Sequence, residues 1–226
     1  MGIRKGVAGA AAGVLLALLL AAGLPGARAA MVVDDFEGDT TATNAIGNRA
    51  NVFLRQPSRT MVGRRLEIIE GRKTQTLMLR YDKRNTGGPF DSGGWCGYYT
   101  LLKTAHAVST LGLRPGASGS SEEYFDASPF RSITFWVRGQ TGQENFVVGV
   151  ADKHWDHIGD SLKSQPIGNY LPGRKLTTEW QKAVIPLDEF FLDQTQLASI
   201  AVVFEGDLFP ETGGVGTVYL DEIKLE

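Results

Sequence analysis

Cysteine is almost absent from this 226-residue chain, in which Cys96 is the only one. A single cysteine cannot form an intrachain disulfide, so a folded domain must be held by its core or by another device. We expect Cys96 to be a buried apolar side chain, because its neighbours in the sequence provide no cation that would activate a thiolate.

The chain also lacks internal repeats, long amphipathic helices and blocks of like charge, and its formal net charge is −2. Without a basic run, nucleic acid and anionic membrane surfaces are not expected partners. There is no Gly-x-Ser-x-Gly nucleophile elbow and no phosphate-binding loop. A glycosidase needs two carboxylates across a cleft, and no strand presents several acids on one face. These absences favour a protein without enzymatic activity.

The only long hydrophobic run lies at the N-terminus, where residues 1–30 have the three parts of a secretory signal. Arg4 and Lys5 provide the positive start, an apolar stretch follows at 7–24, and Ala-Arg-Ala at 27–29 provides a cleavage pattern. A retained membrane anchor is the alternative, although Pro25 interrupts the helix. Cleavage would leave no membrane span, a net charge of about −5 and a secreted or periplasmic destination.

The rest of the chain, 31–226, alternates apolar segments with turns rich in Gly, Pro, Asn and Asp. This pattern predicts one all-β domain, an antiparallel β-sandwich of the jelly-roll type. The clearest predicted strands are 76–81, 97–103, 132–138, 145–151, 181–187, 197–204 and 217–225. Two long connections, 85–95 and 153–175, are candidate functional loops, because long loops in compact domains usually carry function.

Aromatic and polar side chains gather in and beside these two connections. A sugar offers a flat C–H face with a rim of hydroxyls, so its site needs an aromatic platform flanked by polar groups. Trp136 and Trp180 are assigned to the core or to sheet packing instead. The predicted ligand-binding residues are Trp95, Tyr99, Trp155 and Tyr170 as platforms, with Arg138, Asp152, His154 and Asp160 as hydrogen-bonding groups.

Carboxylates occur in both terminal segments of the mature chain. Asp35 and Glu37 follow the first apolar residues, and Asp221 lies in the last predicted strand. A sandwich that joins its termini would bring these carboxylates together, at a cost unless a cation lies between them. A hard cation such as Ca²⁺ prefers such oxygen ligands. A structural calcium site is therefore expected, with solvated edge residues as the alternative.

Several segments together resemble the galactose-binding-domain-like jelly rolls, most nearly carbohydrate-binding modules of the family 11 type. They are VDDFE at 33–37, SITFWVRG at 132–139, FVVGVAD at 146–152, EWQKAVIPL at 179–187 and VYLDEI at 218–223. The resemblance implies a structural calcium held by Glu37 and Asp221, together with Asp35. It also implies that a glycan binds along a concave face lined by Tyr and Trp with Asp and Arg.

The sequence thus predicts an exported, non-catalytic domain that binds a polysaccharide or other glycan. Because one fold can serve several functions, two alternatives stay open at this point. One is an interaction or assembly protein of the cell envelope, and the other is a polysaccharide lyase or hydrolase.

Overall fold

The computed structural model describes residues 29–89, 91–107 and 120–226. The predicted signal segment lies almost entirely outside the described residues. Within the described residues there are thirteen strands, one short α-helix and several single turns of 3-10 helix. In chain order the strands and the α-helix are β1 Met31–Asp34, β2 Ala50–Leu54, β3 Arg59–Ile69, β4 Arg72–Lys83, β5 Cys96–Leu101, β6 Thr104–Ala107, β7 Ser120–Glu123, β8 Ser132–Gly139, β9 Val147–Asp152, α1 Lys153–Ile158, β10 Leu162–Lys163, β11 Gln181–Pro186, β12 Leu197–Phe204 and β13 Gly214–Leu225.

The strands form two antiparallel sheets that face each other. The first sheet has the order β11-β8-β13-β4-β3, with β1 also paired to β13, and the second has the order β10-β9-β12-β5-β2. A separate ribbon joins β6 to β7. The predicted all-β antiparallel sandwich is confirmed.

Alternation along each strand builds the core between the sheets. In β8, Ile133, Phe135 and Val137 are buried in the core, while the residues between them point to the outside of the first sheet. In β9 of the second sheet, Val148 and Val150 face the same core. Because side chains alternate along a strand, each sheet therefore also has an outer face of its own.

The two terminal segments lie side by side, as the sequence predicted. Met31 of β1 pairs with Leu225 of β13, and the strands run antiparallel. Cys96 is buried in the core, also as expected.

The connections are more ordered than the sequence suggested. The stretch 153–175 was expected to be a loop, but it begins with α1 and contains β10. Asp152 starts the helix as its N-cap, and Gly159 ends it with a left-handed φ of 78°. Cap residues at both ends explain a helix that has too little periodicity to be predicted. No helix of the described residues is long and apolar enough to cross a membrane.

The β3–β4 hairpin is the longest in the domain, with strands of 11 and 12 residues. Its two turn residues, Glu70 and Gly71, both have positive φ, at 50° and 79°. Two such residues form the tight turn that suits the twist of a hairpin.

Candidate functional site

The outer face of the second sheet carries a small hydrophobic cluster that is separate from the core. Val147, Ala201 and Val203 are buried at its centre, and Phe53, Tyr99 and Leu208 pack against them as half-buried side chains. We call this surface the aromatic face. Only these neighbouring side chains cover the cluster, and no further sheet or helix of the described residues packs on it. An apolar patch on the outside of a sheet indicates a binding surface.

A row of paired residues crosses all five strands of this sheet. It passes from Asn51 through Tyr99, Ala201 and Gly149 to Lys163. Neighbouring strands lie about 4.8 Å apart, so the row spans roughly 19 Å. Tyr99 is the only aromatic side chain in it, and Ala201 and Gly149 form a low floor beside the ring.

Glycines shape the floor of the aromatic face. The ring of Phe53 lies over Gly97, where an added Cβ would be 2.5 Å from Phe53 Cζ. The ring of Trp95 is tilted against that of Phe53, with 5.7 Å between their centroids. Trp95 remains 43% exposed. Trp95, Phe53 and Tyr99 therefore form a continuous aromatic surface, as the alternation of residues 95, 97 and 99 requires.

Polar groups stand at the β10 end of the row. Lys163 Nζ donates to Asp160 Oδ1 and to the carbonyl oxygen of Ser161, both at 2.7 Å. Burial is the largest single influence on Asp160 and opposes its ionisation, but the hydrogen bonds from Lys163 and from the backbone N–H of Ser161, together with the charge of Lys163, outweigh it and lower the pKa of Asp160. A fixed ammonium and a fixed carboxylate are suitable partners for sugar hydroxyls, because charge-assisted hydrogen bonds are the stronger ones.

A groove of about 910 Å³ continues from Trp95 past the ends of these strands. The buried Lys83 lines it and donates to the carbonyl oxygen of Arg84 at 2.9 Å and to Asn85. Burial is the main cause of the lowered pKa of Lys83 and of the raised pKa of Glu205 on the other side of the groove. The groove extends the aromatic face with polar groups of both signs.

The structure does not bring all the predicted ligand-binding residues to this face. His154 and Trp155 lie on α1, which follows the end of β9, whereas Trp95 precedes the start of β5. Since β5 and β9 both run antiparallel to β12, these residues lie at opposite ends of the sheet.

Asp152 has a different role from the predicted one. Its Oδ1 accepts from the backbone N–H of Trp155, and its Oδ2 accepts from that of Asp193, both at 3.0 Å. The side chain is buried, so its oxygens are used to hold the chain and not to meet a ligand. Tyr170 is likewise tied into its own loop, accepting from the N–H of Gln165 at 3.0 Å and donating to Glu189.

Arg138 lies on the opposite side of the sandwich. It alternates with Val137, which faces the core, and therefore projects from the outer face of the first sheet. There its guanidinium lies over the ring of Tyr219, 3.9 Å from the centroid, and donates to Glu67 Oε1 at 2.7 Å. The prediction that placed Arg138 with Tyr99 and Trp95 is corrected by this geometry.

Two of the three predicted metal-binding carboxylates meet at Thr74. Its hydroxyl lies 2.7 Å from Glu37 Oε1 and 2.9 Å from Asp221 Oδ2. One hydroxyl has a single proton to donate, so two acceptor oxygens share one donor. Asp221 is fully buried, and burial raises its pKa to about 6.

The third predicted ligand is not part of this pair. Asp35 Oδ1 accepts from the backbone N–H of Glu37 at 3.2 Å in the turn after β1. Among the described residues, no group of three or more His, Cys, Asp or Glu side chains is arranged to hold a metal. Glu37 and Asp221 fit a cation that takes its further oxygens from backbone or water, as Ca²⁺ commonly does.

Sequence reasoning missed Phe53, Leu208 and Lys163 as parts of the aromatic face. Phe53 lies in a weakly patterned strand, and Lys163 in a strand of two residues, too short for any periodic signal. Only the strand register, which the sequence does not show, places Phe53 and Lys163 on the face of Tyr99, and Leu208 reaches it from the turn after β12.

Comparison with known proteins places the fold among carbohydrate-binding modules. The structure is similar to a family 11 carbohydrate-binding module from Clostridium thermocellum in complex with a beta-1,3-1,4-mixed-linked tetrasaccharide, with 15% identity, a TM-score of 0.55 and coverage of 87% of this chain and 94% of that one. It is also similar to a family 30 carbohydrate binding module, with 20% identity, a TM-score of 0.51 and coverage of 88% and 89%. At these identities the likeness shows the fold alone.

The family 11 module of the cellulosomal cellulase Lic26A-Cel5E of Clostridium thermocellum is similar as well, with 16% identity, a TM-score of 0.53 and coverage of 87% of this chain and 93% of that one. No curated protein matches the chain. The envelope-protein alternative gains no support from these relatives. The profile of the family described as Carbohydrate binding domain 30 matches residues 71–226, so the chain belongs to that family and is a carbohydrate-binding domain.

Proposed function

We propose that this domain binds a neutral, linear β-glucan chain across the aromatic face. The observation that carries the proposal is the row from Asn51 to Lys163, which places one aromatic ring on a floor of small residues. A ring of this kind supports the C–H face of a sugar, and the low floor leaves room for the chain on either side.

The aromatic rings determine how a chain would lie. Trp95 and Tyr99, four positions apart in one extended segment, project from the same face, with the ring of Phe53 beside Trp95. A chain stacked on them can reach Lys163 and Asp160 at the β10 end of the row, where Lys163 also lines the polar groove. The relative solved with a beta-1,3-1,4-mixed-linked tetrasaccharide supports a mixed-linkage glucan as the first ligand to test.

The test is affinity gel electrophoresis in barley mixed-linkage β-glucan, with soluble xylan and an unloaded gel for comparison. The β-glucan should retard the wild-type domain in the gel. Tyr99→Ala should remove most of the retardation that binding to the aromatic face causes, while the melting midpoint stays close to that of the wild type. Trp155→Ala is the matched control, since it removes an aromatic side chain from the far end of the sheet. Retardation lost in Trp155→Ala and kept in Tyr99→Ala would contradict the proposal.

We also propose that Glu37 and Asp221 hold a structural Ca²⁺ beside the paired termini. Support comes from the two carboxylate oxygens that share the hydroxyl of Thr74 and from the complete burial of Asp221. Bound Ca²⁺ would neutralise both carboxylates and tie the first segment of the domain to its last strand. Arg72 contacts the same region, with its Nη2 3.9 Å from Asp221 Oδ2, but its side chain is half exposed.

Thermal unfolding with and without chelator tests the metal. A ligand that binds only the folded state at 100 times its Kd stabilises that state by about 2.7 kcal/mol. Added Ca²⁺ should therefore raise the melting midpoint of the wild type, and Glu37→Gln should abolish the rise. Asp35→Asn is the control and should keep the response. A midpoint indifferent to chelator and Ca²⁺ would refute the calcium proposal without touching the glycan proposal.

Export remains a prediction of the N-terminal sequence. Intact-mass measurement on protein recovered from the medium or periplasm should show that the first 29 or 30 residues are missing. Recovery of the uncleaved chain in membranes would support the retained anchor instead.

A further inference from the structure

A second groove lies on the other side of the sandwich, against the first sheet. It has a volume of about 570 Å³ and runs between the edge strand β3 and the segment that leads into β11. Leu66 and Ile68 line it from β3 and are 54% and 66% exposed, and Trp180 lines it from the opposite wall. Leu66 and Ile68 alternate with Glu67 along β3, so their side chains lie at the rim of the groove and the ring of Trp180 is its apolar wall.

The floor of this groove is a fixed array of charged and aromatic groups. The guanidinium of Arg138 lies 5.5 Å from the centroid of the Trp180 ring and 3.9 Å from that of Tyr219. Glu67 Oε1 accepts from Arg138 Nη2 at 2.7 Å and forms an ion pair with Arg65, whose Nε lies 2.9 Å away. The side chains of Arg138 and Glu67 are only 14% and 16% exposed.

Such an array is unusual for a surface that only faces water. Exposed ion pairs gain little, and holding long side chains in one position costs entropy. Here the rings of Trp180 and Tyr219 fix the guanidinium, and the guanidinium fixes the carboxylate, before any ligand arrives. Pre-positioned groups reduce the entropy that a ligand must overcome on binding.

Hydrogen-bonding capacity remains open toward the groove. Both close contacts of Glu67 use Oε1, and within the described part of the chain its Oε2 has no hydrogen-bond or ion-pair partner. Arg138 donates to Glu67 and, at 3.3 Å, to the carbonyl oxygen of Gly139. A guanidinium has five N–H donors, so it keeps donors to offer a ligand.

The balance of charge selects the class of ligand. Arg138 and Lys73 contribute two positive charges to the groove, and Glu67 and Glu179 contribute two negative ones. The carboxylates of Glu67 and Glu179 would repel a phosphate or an acidic peptide, although Arg65 beside Glu67 offsets part of that repulsion. A neutral molecule with an apolar face and several hydroxyls suits both the ring of Trp180 and the open oxygen of Glu67.

We propose that this groove is a second glycan-binding site, in which Trp180 supports a sugar ring and Glu67 and Arg138 bind its hydroxyl groups. The two sites lie on opposite outer faces of the sandwich, so one domain can hold two polysaccharide chains. The inference does not depend on the aromatic face, because it rests on different residues. It also gives Trp180 a role beyond the core or sheet packing to which the sequence assigned it.

The experiment uses the same β-glucan and xylan gels, together with light scattering of soluble β-glucan mixed with the domain. Wild-type protein should cross-link the polymer and raise its scattering. Trp180→Ala and Glu67→Gln should each abolish cross-linking while leaving part of the gel retardation. The double variant Tyr99→Ala/Trp180→Ala should lose retardation altogether.

Trp180→Phe and Val184→Ala are the controls. Phe keeps a platform and should restore some cross-linking, whereas Val184 is exposed on β11 outside the groove and its loss should change nothing. Glu67→Gln conserves size and keeps the test valid if Trp180→Ala lowers the melting midpoint.

Each outcome separates the two sites. Unchanged cross-linking and retardation in both Trp180→Ala and Glu67→Gln would overturn the second site and leave the aromatic face standing. Losses in these variants with no effect of Tyr99→Ala would overturn the aromatic face and leave the second site. If Trp180→Ala loses a bound protein but no glycan, the groove is a protein-docking site and the proposal is wrong.

Discussion

The buried carboxyl group of Asp34 makes the stability of this domain depend on pH. Asp34 is 4% exposed, at the end of β1. Its Oδ1 accepts from the backbone N–H of Phe36 at 3.1 Å, and its Oδ2 lies 3.4 Å from the hydroxyl of Tyr98. Burial is the largest influence and raises the pKa of Asp34 from 3.8 to about 6, although both hydrogen bonds act in the opposite direction.

The sign and size of the effect follow from this shift. A carboxyl with a raised pKa holds its proton more tightly in the folded chain than in the unfolded chain. Its contribution to stability is therefore complete below pH 3.8 and is lost as the pH rises through 6. A shift of roughly two units corresponds to about 3 kcal/mol. In a domain of this size that is a change in melting midpoint of roughly 6 to 12 °C.

Urea unfolding of wild type and Asp34→Asn at several pH values between 4 and 7 measures this contribution. Asn keeps the acceptor for the Phe36 N–H and cannot ionise, so the difference in stability between the two proteins should move in favour of Asn by about 3 kcal/mol as the pH rises. In a Tyr98→Phe background the transition should move to higher pH, because a hydrogen bond that lowers the pKa is lost. Parallel pH profiles for wild type and Asp34→Asn would refute the reasoning.

Further predictions concern the capping carboxylate and the floor of the aromatic face. Asp152→Ala removes acceptors for two backbone N–H groups and should lower the free energy of unfolding by about 1 to 2 kcal/mol in urea titrations, without changing glycan retention. An added Cβ at Gly149 would lie 2.5 Å from Ser161 Oγ, a side-chain atom that can rotate away, so Gly149→Ala should fold and bind β-glucan more weakly. The same change at Gly97 would place the Cβ 2.1 Å from the backbone oxygen of Val202, so Gly97→Ala should lower the melting midpoint far more than Gly149→Ala does. Equal midpoints for the two glycine variants would show that the sheet adjusts more freely than its geometry implies.

The architecture was predictable because it depends on patterns that are local in the sequence. Alternation in β8 and β11 and the turn residues between strands indicated an antiparallel sandwich, and the structure confirms it. The pairing of the terminal segments was also expected, from the similar character of β1 and β13. Glu37 and Asp221 meet because this pairing brings their segments to Thr74.

The composition of the site was predictable only in part, because it depends on register and on which face a residue occupies. Tyr99 and Trp95 share the aromatic face, as residues four positions apart in one extended segment should. Arg138 belongs to another sheet, and no property of its own segment reveals this. From the sequence, Asp152 and Trp155 were both expected to be ligand-binding residues of the same loop. In the structure Asp152 is the buried N-cap of α1, whereas Trp155 lies on the helix itself.

The central claim is that glycan binds to the aromatic face, and the four tryptophans of the chain allow a direct test. Their indole N–H signals in a nitrogen-15 correlation spectrum can be assigned with Trp→Phe variants and followed during titration with a mixed-linkage β-glucan tetrasaccharide. If glycan binds to the aromatic face, the Trp95 signal shifts with a saturable dependence on ligand while the Trp155 signal stays in place. A titration in which Trp155 shifts and Trp95 does not would contradict it.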